Sequence, residues 1–132
     1  MMKKVCSIVL IMIMAMSLFV VSASAEGLDS TYTVSANNKY RLATHYGYFE
    51  VDYGTVVGYG NIMHGEEVQA TQACLKHVYE ESNGIVACYP GAIDGEFGPD
   101  TYNGVYAFQV YYNLSPDGRA GDETFSKFQM IL

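Results

Sequence analysis

The sequence predicts an all-α domain, a small three-helix bundle, led by a Tyr/Gly-rich arm that is extended or partly β-structured. Three observations carry that prediction. After His64, three segments space their apolar residues three and four apart, the period of one helix face. An eight-residue phrase, Asp-Gly-x-x-Gly-x-x-Thr, occurs at Asp94–Thr101 and again at Asp117–Thr124, each time leading into such a segment. Before His64 the chain favours Tyr, Thr and Gly, and six of its 12 tyrosines lie between Tyr32 and Tyr59.

Residues 1–25 read as a secretory signal peptide. Lys3 and Lys4 supply a basic start, a long apolar run follows, and Ala23-Ser24-Ala25 has the small-residue pattern of a cleavage site. The alternative is a retained membrane anchor, because the run approaches spanning length. The small residues that follow it directly favour cleavage and a secreted chain, in the cell wall or outside the cell. Cys6 would leave with the peptide.

Removal of that segment leaves Cys74 and Cys88 in an oxidising compartment, which predicts one disulfide between them. Closing a loop of about 15 residues would contribute roughly 3 kcal/mol. With Lys3 and Lys4 set aside, five basic residues face 14 acidic ones, a formal net charge of −9. No basic patch is available to neutralise phosphates, so nucleic acid and acidic membrane surfaces are disfavoured as partners.

Residues 26–64 form the arm. Ser30–Val34, an Asn37-Asn38 turn and the segment through Leu42 read as strand, turn and strand. Further on, Phe49, Val51, Tyr53, Thr55, Val57 and Tyr59 share one parity, as on one face of a strand, although Gly54, Gly58 and Gly60 interrupt it.

Residues 65–132 form the helical domain. The first helix runs from Glu66 to about Ser82, with Val68, Thr71, Leu75 and Val78 on its apolar stripe, Tyr79 beside it, and Asn83-Gly84 as its stop. The second starts at Pro99, which suits the first helical position, with Asp100 at the favourable end of the dipole. Val105, Phe108 and Tyr112 face inward, and Gly104 costs about 1 kcal/mol relative to alanine unless close packing requires it. The third covers Asp122 to Ile131, with Phe125, Phe128 and either Ile131 or Leu132 inward.

Each Asp-Gly phrase is a turn that delivers the chain into a helix, since Asp bonds nearby backbone N–H groups and Gly takes positive φ readily. Calcium is disfavoured because Arg119 stands in the second copy where the first has Glu96. No catalytic constellation stands out. Cys74 and His77 are three apart on a helix, but the thiol is expected to be paired. His45, His64 and His77 lack the spacing of a zinc signature, and Asp94 with Glu96 on one turn is poorly placed for glycoside hydrolysis. The chain is therefore read as a non-enzyme with no metal and no cofactor.

The order Gly65, Val68, Gln72, Leu75, then Asp94-Gly95-x-Phe97-Gly98-x-x-Thr101, then Val105, Phe108-Gln109 and Leu114, then Asp117-Gly118-x-x-Gly121-x-x-Thr124 and Phe128 resembles the small helical peptidoglycan-binding domain of bacterial cell-wall hydrolases. The likeness covers residues 65–128. It departs from the family pattern at Thr71, Gly104 and Ala120. The resemblance implies noncatalytic binding to the glycan strand or stem peptide of peptidoglycan, in support of wall remodelling and with a wall hydrolase as a possible partner. The alternative is a secreted interaction module that modulates or inhibits a wall enzyme.

For ligand contact, Tyr102 and Tyr106 are four apart on the second helix and form one patch that Tyr89 could join, since tyrosine offers a sugar both an aromatic face and a polar tip. Arg119 supplies a fork of donors for a stem-peptide carboxylate. Asp94 and Gln109 complete the expected binding set, although turn and helix hydrogen bonding explain Gln72 and Gln109 at least as well.

Overall fold

The structure, a computed structural model, describes residues 38–132. The expected signal segment at 1–25 and the strand expected at 30–34 lie outside these residues. Lys39–Leu132 forms one compact unit. Among the described residues no helix is long and apolar enough to cross a membrane.

Two antiparallel strands come first, β1 (Lys39–Thr44) and β2 (Gly47–Asp52), in register from Lys39 opposite Asp52 to Thr44 opposite Gly47. The reversal falls at His45 and Tyr46. Thr44 makes this turn: its Oγ1 accepts the Tyr46 N–H at 3.0 Å and donates to the Gly47 carbonyl at 2.9 Å, a local bond that hydroxyl side chains supply to turns. Strand periodicity points Tyr40, Leu42 and Val51 to one face, where all three are buried.

The single long strand expected over 49–59 does not form. β2 ends at Asp52, whose carbonyl accepts the Thr55 N–H at 3.2 Å, and Gly54 at φ +85° turns the chain. The shared parity therefore breaks: Val51 and Val57 are buried, whereas Tyr53 and Tyr59 are exposed.

Three helices follow, α1 (Glu66–Glu81), α2 (Pro99–Tyr111) and α3 (Asp122–Ile131). The stripe of Val68, Thr71, Leu75 and Val78 is buried along α1. Asn83 and Gly84 both adopt positive φ, and Gly84 N–H donates to the Tyr79 carbonyl at 2.8 Å, which closes the end of α1. Asn113, at φ 62°, ends α2 in the same manner, with Leu114 N–H bonded to the Gln109 carbonyl at 2.8 Å. Phe108, Phe125 and Phe128 meet in the centre, with the Phe108 and Phe128 rings 4.5 Å apart. At the terminus Leu132 packs on this core, while Ile131 is exposed. Leu42, Val51 and Val57 belong to the same apolar cluster, so the hairpin and the loop after it help close the interior.

The expected disulfide is absent. Cys74 and Cys88 are both free and fully buried, and Cys88 Sγ points at the Leu75 carbonyl, 3.2 Å away. Burial in apolar surroundings disfavours the thiolate: it raises the Cys88 thiol to about 12 and pushes Cys74 well above the ordinary range. The crossing loop is held by packing, since Val86, Cys88 and Pro90 are buried. Gly104 explains how the loop fits. A Cβ there would lie 2.9 Å from the Cys88 carbonyl oxygen and 3.2 Å from Pro90 Cα, so the missing side chain lets α2 approach the loop backbone.

Candidate functional site

The twin phrases are built around two buried glutamines. Gln72 on α1 turns its amide toward the first phrase: Oε1 accepts the N–H groups of Asp94 at 3.0 Å and Gly95 at 2.9 Å. Its Nε2 faces Asp94 Oδ1 at 3.1 Å, the Glu96 carbonyl at 3.0 Å and Thr101 Oγ1 at 3.0 Å. Gln109 on α2 repeats the arrangement around the second phrase. Its Oε1 accepts Gly118 N–H at 2.9 Å, and its Nε2 faces Asp117 Oδ1, the Arg119 carbonyl and Thr124 Oγ1 at 3.2, 2.7 and 3.0 Å.

Within each phrase the Asp closes its own turn, Asp94 Oδ1 accepting Glu96 N–H at 3.0 Å and Asp117 Oδ1 accepting Arg119 N–H at 2.9 Å. The Glu96 N–H, and after it the Gln72 amide, hold the Asp94 carboxyl below the usual carboxylate range. Each phrase also pairs with upstream chain: Phe97 N–H donates to the Met63 carbonyl at 2.9 Å, and Ala120 and Val57 exchange backbone bonds at 2.8 and 2.9 Å. Asp, Gly and Thr recur because one glutamine amide must satisfy all of them.

That framework carries an aromatic ledge. The Tyr59 and Tyr102 rings are 5.7 Å apart and inclined by 31°; those of Tyr102 and Tyr106 are 6.2 Å apart and inclined by 24°. Tyr59 also meets Phe97 edge-on at 5.2 Å. Tyr102 is half-buried and lies over Gly118, where a Cβ would come within 2.1 Å of Cε1. Tyr59 and Tyr106 are 41% and 42% exposed, leaving ring faces open at both ends of the row. Arg119 is exposed beside Gly58, with its Cγ 3.0 Å from where a Cβ on that glycine would sit. Asp94 borders a shallow cleft of about 280 Å³ with Glu96, Phe97 and Asp100.

Of the six residues expected to contact ligand, Tyr102, Tyr106 and Arg119 lie on the ledge or its margin, Asp94 and Gln109 serve the turns, and Tyr89 stands elsewhere. The Tyr89 ring packs on Tyr79 at 5.3 Å. Tyr59 was not among the expected residues; it sits in a glycine-rich loop whose path no periodicity reveals.

A second constellation lies at the hairpin turn. His77 and Glu81 are four apart on α1 and so share a face, and the turn brings His45 against them: the ligand atoms of the three all lie within 4.8 Å of one another. His45 Nε2 is 2.9 Å from Glu81 Oε2, its Nδ1 is 3.6 Å from Glu80 Oε1, and its backbone N–H donates to His77 Nδ1 at 3.0 Å. Partial burial, followed by the neighbouring His45, lowers the His77 pKa and favours the neutral ring.

Residues 64–128 match the family described as "Putative peptidoglycan binding domain", so the helical part of the chain is a small domain of the peptidoglycan-binding type.

The chain is 49% identical over 51 residues to a zinc D-Ala-D-Ala carboxypeptidase of Streptomyces albus G, covering 35% of this chain and 20% of that protein. It is 29% identical over 103 residues to the N-acetylmuramoyl-L-alanine amidase CwlM of Mycobacterium tuberculosis (strain ATCC 25618 / H37Rv), covering 78% of this chain and 21% of that protein. The chain thus spans about a fifth of the length of these relatives. A peptidoglycan-binding protein from Clostridioides difficile, solved in complex with glutamine hydroxamate, is similar with a TM-score of 0.49 and 32% identity over 64% of this chain and 46% of that one.

Two of these findings correct the reading of the chain as a non-enzyme without metal ligands. His45, His77 and Glu81 form a donor set able to chelate a metal ion, and one relative is a zinc carboxypeptidase. The linear spacing of the histidines concealed the cluster because the hairpin turn supplies one of its three members.

Proposed function

We propose that the Tyr59, Tyr102 and Tyr106 ledge receives the glycan strand and that Arg119 at its margin meets a carboxylate of the stem peptide. The single observation that carries this reading is the row of three tyrosine rings at 5.7 and 6.2 Å, two of them on α2 and the third from the loop after β2. Sugar rings pack their C–H faces on aromatic planes while their hydroxyls meet tyrosine oxygens and nearby amides. In a chain of this acidity a guanidinium beside that row gives a specific place for an anionic group.

The chain acts outside the cytoplasm, at the wall, alongside a wall hydrolase. The support is the set of relatives, a carboxypeptidase and an amidase by name, of which this chain spans only a part. Co-sedimentation of the purified protein with insoluble peptidoglycan, chitin and cellulose tests the reading. Selective retention on peptidoglycan that falls at least tenfold in a Tyr59→Ala/Tyr106→Ala variant supports it. Tyr102 is left in place there because its ring also covers Gly118. Equal retention of the variant and the parent, with helix content verified, contradicts the ledge as the site.

A further inference from the structure

We propose that His45, His77 and Glu81 form a binding site for one divalent transition-metal ion of the zinc type, with three protein ligands and a fourth position open to solvent or an anionic group. The site is independent of the aromatic ledge and does not rest on it.

The donor set has the chemistry zinc takes: two imidazoles and a carboxylate, each able to give one bond of about 2.0–2.2 Å. Tetrahedral bonds of that length put ligand atoms about 3.4 Å apart. His45 Nε2 and Glu81 Oε2 are already 2.9 Å apart, and no pair in the set exceeds 4.8 Å. Small side-chain rotations at an exposed corner therefore suffice. His77 presents an unprotonated Nδ1 that now accepts the His45 N–H at 3.0 Å, a lone pair the ion would take in place of the amide.

The surroundings are those of a supported site. Metal-bound histidines commonly direct the second ring nitrogen at a carboxylate, which fixes the tautomer and the ring plane. His45 Nδ1 faces Glu80 Oε1 from 3.6 Å, an ion-pair distance from which a small rotation would bring the two into hydrogen-bond range. Glu80 is in turn held by the Tyr46 hydroxyl, 2.6 Å from Oε1 and 2.5 Å from Oε2, and Lys76 Nζ lies 4.9 Å over the Tyr46 ring. Three protein ligands with an open fourth position also distinguish sites that hold a reactive water from closed structural ones. Bound metal would join the hairpin turn to α1, two elements 32 residues apart in sequence.

Metal-free protein titrated calorimetrically with Zn²⁺, and in parallel with Co²⁺ followed by visible absorption, tests the site. One equivalent bound with micromolar or tighter affinity, and a cobalt spectrum of low coordination number, is the expected result. His45→Ala and Glu81→Gln should each weaken binding at least tenfold, whereas His64→Ala, which removes a different His–Glu pair, should leave it unchanged. His77→Ala serves as a third variant, with circular dichroism to confirm that each is folded. Absence of saturable binding, undiminished binding by the folded His45 and Glu81 variants, or equal loss in the His64 variant would overturn the site.

Discussion

Gln72 and Asp94 bond to each other at both ends: Gln72 Oε1 accepts the Asp94 backbone N–H at 3.0 Å, and Gln72 Nε2 donates to Asp94 Oδ1 at 3.1 Å. This pairing sets the first turn onto α1, and Gln109 with Asp117 and Gly118 sets the second onto α2. The ledge stands on both turns, through Tyr59 against Phe97 and Tyr102 over Gly118.

Gln72→Ala should destabilise the domain by roughly 2–3 kcal/mol, because it leaves the Asp94 and Gly95 N–H groups without their acceptor in a partly buried turn. Gln109→Ala should cost a similar amount. Urea unfolding measures both. A loss under 0.5 kcal/mol for either would mean that the clamps do not organise the turns.

Gly104→Ala should lower the melting temperature although alanine is the better helix former. The propensity gain is about 1 kcal/mol. An added Cβ 2.9 Å from the Cys88 carbonyl and 3.2 Å from Leu75 Cδ1 and Pro90 Cα has no empty space to enter, and overpacking of this kind costs about 1–3 kcal/mol. A variant more stable than the parent would show that the crossing loop does not rest on α2.

Cys74 and Cys88 should resist a thiol reagent in the folded protein and react fully on denaturation without any reductant, since both are buried and free. Their raised pKa values also fix a sign. The stabilising contribution of each neutral thiol is present below the unfolded value of about 8.5 and is lost as pH rises through the folded value, about 12 for Cys88. Thermal stability should therefore decline above about pH 8.5, less so in a Cys88→Ala variant compared with itself at neutral pH. Silent cysteines under denaturing, non-reducing conditions would restore the disulfide.

Acid should weaken the attachment of the hairpin. Asp122 Oδ1 accepts the Tyr40 hydroxyl at 2.6 Å and the Gly54 N–H at 2.8 Å, tying β1 and the loop after β2 to the start of α3. The Tyr40 bond first, then the Gly54 bond, lowers the Asp122 pKa. The stability this provides is present above the unfolded value of about 3.9 and is lost as pH falls through the lower folded value. Asp122→Asn should flatten the acid limb of a stability-versus-pH curve. An unchanged limb would argue against this tie.

The three helices were legible in sequence because their apolar spacing is local: Val68 to Val78, Val105 to Phe108 and Phe125 to Phe128 each report a face without help from distant chain. The twin Asp-Gly phrases were legible as turns for the same reason. The features that were not legible depend on distance or direction. The Cys74 to Cys88 spacing allowed a disulfide but did not show that Cys88 Sγ points at the Leu75 carbonyl. The hairpin reversal carries no Asn or Gly at His45 and Tyr46, only the Thr44 hydroxyl bond, so neither the strand register nor the approach of His45 to His77 could be read. Tyr59 reaches Tyr102 only because the loop after β2 doubles back onto the second turn, where Val57 pairs with Ala120.

Amide NMR spectra of the labelled protein titrated with soluble muropeptides test the central claim most directly. Shift changes concentrated at Gly58, Tyr59, Tyr102, Tyr106, Gly118 and Arg119, saturating together, are predicted. Saturable changes confined to Tyr79, Tyr89 and their neighbours, or a spectrum that muropeptides do not alter, would contradict the ledge as the place where the wall is held.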